Sequence, residues 1–191
     1  MNVLALNCGS SSVRFQVVGF DEGGAAGSRG RRVAGGLVER IGAASRLIAR
    51  AGNGPSIDEP AGAPDHGSAV RRAINWLTTC GAPIDAIGHR VVHGGSKYFR
   101  STLLDAAVES AIEELEDLAP MHNAPCLAGI RAARNALARD IPMAAVFDTG
   151  FHADLPPRAG RYGIPKELAV RHGIRRFGFH GIAYRYVLQR Y

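Results

Sequence analysis

Near the amino terminus, the turn Gly-Ser-Ser-Ser at 9–12 separates two apolar runs, and Arg14 follows closely. Backbone N–H groups and serine hydroxyls can converge on an anion at such a turn, because no bulky side chain obstructs the approach. Arg14 can add charge-assisted hydrogen bonds to the same anion. The turn therefore indicates a phosphate-binding element, although taken alone it is more typical of a plain hairpin loop.

Four other positions carry groups suited to anion chemistry. Arg90 lies between the apolar stretches Ala-Ile-Gly and Val-Val, and a guanidinium in such surroundings needs an anionic partner. Asp148 ends an apolar run, where a carboxylate serves either as a helix N-cap or in a metal and phosphate site. His122 lies in the polar break Met-His-Asn-Ala-Pro, and His180 lies in Gly-Phe-His-Gly. The structural alternatives are a surface arginine, a helix cap at His122 and a loop histidine at His180.

Composition limits the functions that these groups can serve. The chain has 191 residues, of which 46% are hydrophobic and 21% are charged, and this is typical of a soluble globular protein with its own core. The formal net charge is +6. The arginines are scattered along the chain, so we expect the charge to set solubility and expect no nucleic-acid partner.

The cysteines and the apolar segments indicate the compartment. Cys8, Cys80 and Cys126 have no C-x-x-C spacing, which argues against a zinc site and a disulfide framework. No segment approaches the ~20 apolar residues of a membrane span, and no basic region precedes the first apolar run. We therefore expect a cytoplasmic protein with no membrane partner.

Several elements must position these groups. The residue pattern predicts strands and helices in the order β, β, β, β, α, β, α, α, β, at 2–8, 12–20, 32–42, 45–52, 65–81, 84–95, 105–120, 126–140 and 141–151. Residues 53–64 are predicted to be a loop, and Pro120 is predicted to end the helix before the polar break. This order predicts an α/β domain with a mixed sheet flanked by helices.

The character of the sequence changes after residue 150. Prolines become frequent, and 182–191 carries aromatic and aliphatic residues at helical spacing with no stop signal behind Tyr191. We therefore expect residues 1–150 to form one domain. Residues 151–191 are expected to open a second domain that is largely missing.

Five stretches together resemble the acetate kinases, within the acetate and propionate kinase group. They are LNCGSSSVRF, GHRVVHGG, LAPMHNAPCLAGI, AVFDTGFHADLP and YGIPKELAVRHGIRRFGFHG. The resemblance runs from residue 2 to about residue 187, which is nearly all of this chain but about the first half of the family's fold. It implies an actin-like (ribonuclease H-like) kinase domain, one of two such domains that surround a cleft.

The resemblance also implies a reaction, in which the terminal phosphoryl group of ATP passes to acetate with Mg²⁺ present. Arg90 would then hold the acetate carboxylate, and its methyl group would lie against Val92, Met121 and Phe179. Asn7 would help to place Mg²⁺. The ATP phosphates would lie along Ser10, Ser12 and Arg14. Asp148 would orient the metal and the reacting groups, His180 would donate to the moving phosphoryl group, and His122 would support that site.

Two departures from the family pattern accompany the resemblance. Arg14 stands where the family usually has lysine, and Ile182, Ala183 and Tyr184 replace the usual Thr-Ser-His. In the family, the second domain supplies the nucleotide-base pocket, a glycine-rich phosphate loop, another arginine and a glutamate. We therefore expect this chain alone to show no acetate-dependent ADP formation, and a homodimer in the full-length family. The alternative interpretation is a stand-alone, non-catalytic domain that binds a small anion or pairs with another subunit.

Overall fold

The computed structural model describes residues 1–21, 30–54, 56–137 and 140–191, and in these ranges a mixed sheet forms the centre of the molecule. Its strands are β1 (Asn2–Cys8), β2 (Val13–Gly19), β3 (Arg31–Glu39), β4 (Arg46–Ala51), β5 (Ile57–Pro60), β6 (Ala86–Val91), β7 (Thr102–Leu103) and β8 (Met143–Phe147). They are ordered β5-β4-β3-β2-β1-β6-β8-β7. β1 to β5 are antiparallel neighbours, whereas β1, β6 and β8 run parallel to one another.

The helices that lie between the parallel strands in the chain cover one face of the sheet. The α-helices are α1 (His66–Thr79), α2 (Ala106–Glu114), α3 (Pro120–Ala136), α4 (Pro157–Gly160), α5 (Lys166–Arg171) and α6 (Gly181–Leu188), and 3₁₀ turns span Glu116–Leu118 and Asp148–His152. α1 and α3 pack against each other and against the inner strands. Asp65 caps α1 by accepting a hydrogen bond of 2.6 Å from the Ser68 N–H.

The core follows from the period-2 pattern of the first hairpin. Alternate residues of β1 and β2 are buried beneath the helices, among them Leu4, Leu6 and Phe15. The Phe15 ring meets the Trp76 ring of α1 edge to face, with centroids 5.9 Å apart. The mixed sheet flanked by helices confirms the α/β class predicted from the order of elements.

Four local predictions were wrong. The segment predicted as the loop 53–64 contains β5, an edge strand that pairs with β4. Pro120 begins α3 and does not merely end the helix before it, so the predicted polar break Met-His-Asn-Ala-Pro forms the first turns of α3. The helix predicted at 105–120 divides into α2 and a 3₁₀ turn, and the strand predicted at 141–151 ends at Phe147, where another 3₁₀ turn begins.

The face of the sheet opposite α1 and α3 carries an open groove of about 630 Å³. Arg14, Gln16, Arg32 and Arg90 line it together with glycines and apolar residues. Gly88 lies in this lining, and a Cβ placed there would meet no heavy atom within 4 Å. In the described ranges, no helix is both long and apolar enough to cross a membrane.

Candidate active site

The parallel strands bring three polar side chains to one edge of the sheet. Asn7 lies near the end of β1, Arg90 near the end of β6, and Asp148 directly after β8. The carboxyl ends of neighbouring parallel strands meet at one edge, which is where open α/β sheets bind their ligands. The topology therefore gathers residues that are up to 141 positions apart in sequence, since Asn7 and Asp148 define the two ends of this set.

Arg90 connects the other two side chains. Its Nε and Nη2 atoms donate to Oδ2 of Asp148 at 2.9 and 2.5 Å, and its Nη1 donates to Oδ1 of Asn7 at 2.9 Å. The Asp148 side chain is 1% exposed and the Arg90 side chain 26%. These bonds use three of the five N–H donors of the guanidinium, so two remain for another anion. Asp148 is thus the anionic partner that the apolar surroundings of Arg90 require.

The serine turn lies beside this edge between β1 and β2. The Gly9 N–H donates to the Ser12 carbonyl at 2.8 Å and closes the turn, and Nε2 of His66 donates to the Gly9 carbonyl at 2.7 Å. Arg14 stands opposite Asn7 in the hairpin register and lines the same groove as Arg90. The hydroxyls of Ser10 and Ser12 and the Arg14 guanidinium have no hydrogen-bond partner among the described residues. Uncommitted donors at this position suit the predicted phosphate contact.

His180 joins the site through the residues that follow it. It has a left-handed backbone with φ of 57° and occupies the N-cap position of α6. Gly181 presses against Asp148, and a Cβ there would overlap the Asp148 carbonyl oxygen. The Ile182 N–H donates to Oδ1 of Asp148 at 3.4 Å. The His180 segment therefore lies on the 3₁₀ turn that carries Asp148, and the imidazole itself is exposed.

The three residues expected to surround a methyl group differ in exposure. Val92 is buried, whereas Met121 is 70% and Phe179 46% exposed. Next to Val92 lies His93, whose ring centroid is 6.2 Å from that of Phe179. The side chains of Met121 and Phe179 are thus open to solvent, and a common wall of the three residues stays a prediction.

A buried polar pair holds the chain where β6 ends. The Asn123 side chain accepts from the His93 N–H at 3.2 Å and donates to the His93 carbonyl at 3.1 Å. Nδ1 of His93 accepts from the Gly95 N–H at 2.9 Å, and burial lowers the pKa of His93 below its ordinary value. The Gly94 N–H donates to the Thr149 hydroxyl at 3.1 Å. These bonds fix the loop that carries Val92 to α3 and to the Asp148 turn.

No described contact of the His122 side chain ties it to the other predicted site residues. It is exposed near the start of α3, next to the buried Asn123. Within the described ranges, no hydrogen bond joins the His122 ring to Arg90, Asp148 or His180. Its role stays a prediction.

Two buried thiols lie beneath the site. Burial raises the pKa of Cys8 to about 12 and that of Cys126 to about 11. The Cys126 thiol donates to the Cys8 carbonyl at 3.8 Å. Because a thiolate is the reactive form, both thiols are structural and supply no nucleophile to the site.

The site carries side-chain oxygens of the kind that Mg²⁺ takes, and in this structure Asn7 Oδ1 and Asp148 Oδ2 both accept from the Arg90 guanidinium. Asp148 offers a carboxylate and Asn7 an amide oxygen, and Mg²⁺ prefers oxygen ligands from one or two side chains together with substrate phosphates. No group of three or more His, Cys, Asp or Glu residues that could hold a metal occurs in the part of the chain that the structure describes. A metal here would therefore depend on phosphate oxygens for most of its ligands.

Sequence reasoning missed His66, His93 and Thr149. His66 lies 57 residues from the turn that it fixes, so no local pattern links the two. His93 directly precedes Gly94-Gly95, and Thr149 directly follows Asp148. For His93 and Thr149, the available signal was their position next to the predicted site residues Val92 and Asp148.

Fold and site together define an α/β domain that gathers an asparagine, an arginine and an aspartate at the carboxyl ends of its parallel strands. A model of the Acetokinase family matches residues 2–191, and the chain belongs to this family. It is 40% identical over 205 residues to an acetate kinase of Chloroherpeton thalassium and 43% identical over 190 residues to one of Leifsonia xyli. These alignments cover 100% and 97% of this chain but 49% and 46% of the relatives. The chain thus spans about half the length of the curated relatives it matches.

Solved structures agree with this assignment. A propionate kinase from Francisella tularensis superposes with a TM-score of 0.85 at 33% identity, and the Porphyromonas gingivalis acetate kinase with 0.84 at 36% identity. Each match covers 99% of this chain and 47% of the solved chain. The resemblance read from the sequence is confirmed at the level of family and fold.

Proposed function

We propose that this chain carries the carboxylate-binding and phosphate-binding groups of an acetate kinase-type site. The reaction is transfer of the terminal phosphoryl group of ATP to acetate, which gives ADP and acetyl phosphate, and ATP as co-substrate implies the cytoplasm. The observation that carries the proposal is the partly buried Arg90–Asp148 pair with Asn7, beside a turn whose Ser10 and Ser12 hydroxyls have no hydrogen-bond partner among the described residues. Membership of the family supports the same reaction.

Arg90 is the proposed ligand of the acetate carboxylate. Its two remaining N–H groups suit a carboxylate, and Asp148 balances the guanidinium charge when the substrate is absent. Val92, Met121 and Phe179 would surround the methyl group, and the exposure of the last two leaves room for a longer chain such as propionate.

The serine turn is the proposed path of the ATP phosphates. Ser10, Ser12 and Arg14 would donate to phosphate oxygens, and Asn7 with Asp148 would hold Mg²⁺. Mg²⁺ would supply charge neutralisation on the phosphates when bound. Arg14 presents a planar fork, so its contact would be directional, in contrast to the point charge of a lysine.

The chemistry requires alignment and positive charge more than a base. Acetate is already ionised at neutral pH, so no proton has to be removed before its oxygen attacks phosphorus. His180 would donate to the phosphoryl group as charge shifts onto its oxygens, and His122 would support it. Asp148 would keep Arg90 and the Ile182 N–H in place during the transfer.

Residues 151–191 are proposed to open the second domain of the kinase, and the relatives' remaining length would supply its other wall. A specific observation also favours a second role, subunit pairing, and with it a homodimer. Large apolar side chains are exposed throughout this segment, among them Ile164, Leu168, Val170, Tyr184, Tyr186, Val187 and Leu188. Sedimentation velocity over a range of concentrations tests this role, and a monomer at every concentration would contradict it.

Calorimetric titration with acetate tests the main proposal. Charge-assisted hydrogen bonds contribute about 1.5–3 kcal/mol, so Arg90→Ala should weaken acetate binding about 10- to 150-fold. Arg90→Lys keeps the charge without the fork and should fall between. Arg131→Ala is the matched control, because it removes an exposed arginine that pairs with Glu113 on the helix side.

The outcomes separate binding from folding. Far-UV circular dichroism of each variant shows whether the fold is intact. Equal acetate affinity in the unmodified chain and in folded Arg90→Ala or Arg90→Lys would refute the role of Arg90. Acetate-dependent ADP formation by this chain alone would instead contradict the expectation that the other wall of the cleft is required.

A further inference from the structure

We propose that His152 is a positioning residue that holds the backbone directly before His180 against the turn that carries Asp148. The proposal deepens the proposed function and rests on it for the role of His180. His152 is the last residue of the 3₁₀ turn Asp148–His152, and the site as described above does not use its side chain. Its contacts involve the 177–180 segment and the residues that pack against it.

The imidazole contacts two successive residues before His180. Nε2 of His152 donates to the Phe179 carbonyl at 3.1 Å. The ring also lies close against Gly178, where a Cβ would overlap several ring atoms. Glycine at this position is therefore required by the close approach of the ring. Together the two contacts fix both the position and the direction of the chain that enters His180.

The other side of His180 is held by the opposite end of the same turn. Asp148 accepts from the Ile182 N–H, and Gly181 packs against the Asp148 carbonyl. His180 is thus suspended between two attachments to one turn. Its left-handed φ of 57° is unfavourable for a residue with a Cβ, so it needs such attachments to persist.

His152 is itself oriented by its neighbours. Its ring meets the rings of Phe151 and Tyr184 edge to face, with centroids 5.0 and 6.0 Å away. The Arg175 guanidinium donates to the carbonyls of His152 and Ala153, both at 3.2 Å. An imidazole held from several sides can transmit a fixed geometry to the bond that it makes.

The bond also bears on the apolar wall. Phe179 is the residue whose carbonyl accepts from His152, and its ring faces His93. A change at His152 is therefore expected to move Phe179 and His180 together. A residue that serves only local packing would be replaced without loss by another ring of similar size, and this difference makes the proposal testable.

The test compares three substitutions in the isotopically labelled chain by NMR, without any ligand. His152→Phe keeps a ring but loses the donor, and His152→Gln keeps an N–H donor. Gly178→Ala keeps histidine at position 152, but the added methyl group displaces its imidazole from residues 178 and 179. This variant therefore tests the same contact if His152→Phe misfolds. His172→Phe is the matched control, since His172 is an exposed histidine in the same part of the chain.

The readouts are the amide exchange rate of Ile182 and the ring resonances of His180. Loss of one hydrogen bond corresponds to about a five- to tenfold change in an equilibrium. We expect Ile182 exchange to rise by about that factor and the His180 resonances to shift in His152→Phe and Gly178→Ala. His152→Gln should restore most of the protection, and His172→Phe should change nothing.

The result that would overturn the proposal is unchanged Ile182 exchange and His180 resonances in folded His152→Phe or Gly178→Ala. Failure of His152→Gln to restore protection would also overturn it, because packing alone would then explain the effect. The proposed function fails separately, when acetate affinity does not depend on Arg90. The Ile182 exchange rate and the His180 resonances can respond as expected while the acetate affinity does not depend on Arg90. In that case the positioning role of His152 stands, and only the kinase assignment of the site is refuted.

Discussion

Acidification should destabilise this fold through His89, which lies in β6 on the side that α3 covers. The residue is 2% exposed, and its Nε2 atom has no hydrogen-bond partner among the described residues. Burial, with a smaller contribution from the Arg134 charge on α3, lowers the pKa of His89 from 6.5 to about 3. The native state therefore keeps this imidazole neutral under all ordinary conditions.

The sign and size of the effect follow from proton binding. The unfolded chain takes up a proton on His89 below pH 6.5, whereas the native chain does so only near pH 3. In that window the unfolded state binds more protons, so stability is fully present above the window and is lost as the pH falls through it. Each pH unit corresponds to about 1.4 kcal/mol, so the free energy of unfolding should fall by about 2 kcal/mol between about pH 7.5 and 5.

Urea unfolding followed by circular dichroism at several pH values measures this fall. His89→Leu removes the titrating group and should flatten the pH dependence by about 2 kcal/mol over that range. Ile87→Val on the same strand and face is the control. It should cost about 1 kcal/mol at every pH and leave the pH dependence unchanged. A His89→Leu variant with the same pH dependence as the unmodified chain would refute the reasoning.

Two other substitutions test the cap and the central ion pair. Asp65→Ala should lower the free energy of unfolding by about 1 kcal/mol, because the Ser68 N–H loses its acceptor; urea unfolding measures it, and an equal loss in Asp117→Ala would contradict the assignment. Arg90→Met should lower the free energy of unfolding by about 2–4 kcal/mol, since it leaves the buried Asp148 carboxylate without its cationic partner. The double variant with Asp148→Leu should regain much of this loss, and strictly additive losses would show that the pair is not coupled.

The main sheet could be predicted from the sequence because its strands carry strong local signals. The alternation in β1 and β2 and the serine turn between them specify a hairpin without any tertiary information. β5 was missed because Ile57–Pro60 is short, polar and ends in proline, features that suit an edge strand but resemble a loop.

The start of α3 was predicted wrongly for a different reason. A proline ends a helix that precedes it, but it also suits the first position of a new one, where its missing N–H has no partner to lose. Pro120 occupies that first position. The sequence offered both interpretations, and packing of Asn123 against His93 favours the helical one.

The candidate site, like the fold, could be predicted from the sequence only in part. The need of Arg90 for an anionic partner could be inferred from its apolar neighbours, but the identity of that partner could not. Asp148 lies 58 residues away, and only the parallel pairing of β6 with β8 brings the two together. The His152 contact with Phe179 likewise spans 27 residues and leaves no periodic signal in the sequence.

The empty space above Gly88 leaves room for a covalently attached probe. The strand needs no glycine there, because its φ is not positive and a side chain's first carbon would have no close neighbour within 4 Å. A cysteine at this position would carry a fluorophore or spin label two residues from Arg90 on the floor of the groove. The fluorescence or the electron paramagnetic resonance spectrum of such a label would change when a ligand enters the groove, and the sheet beneath it would stay intact.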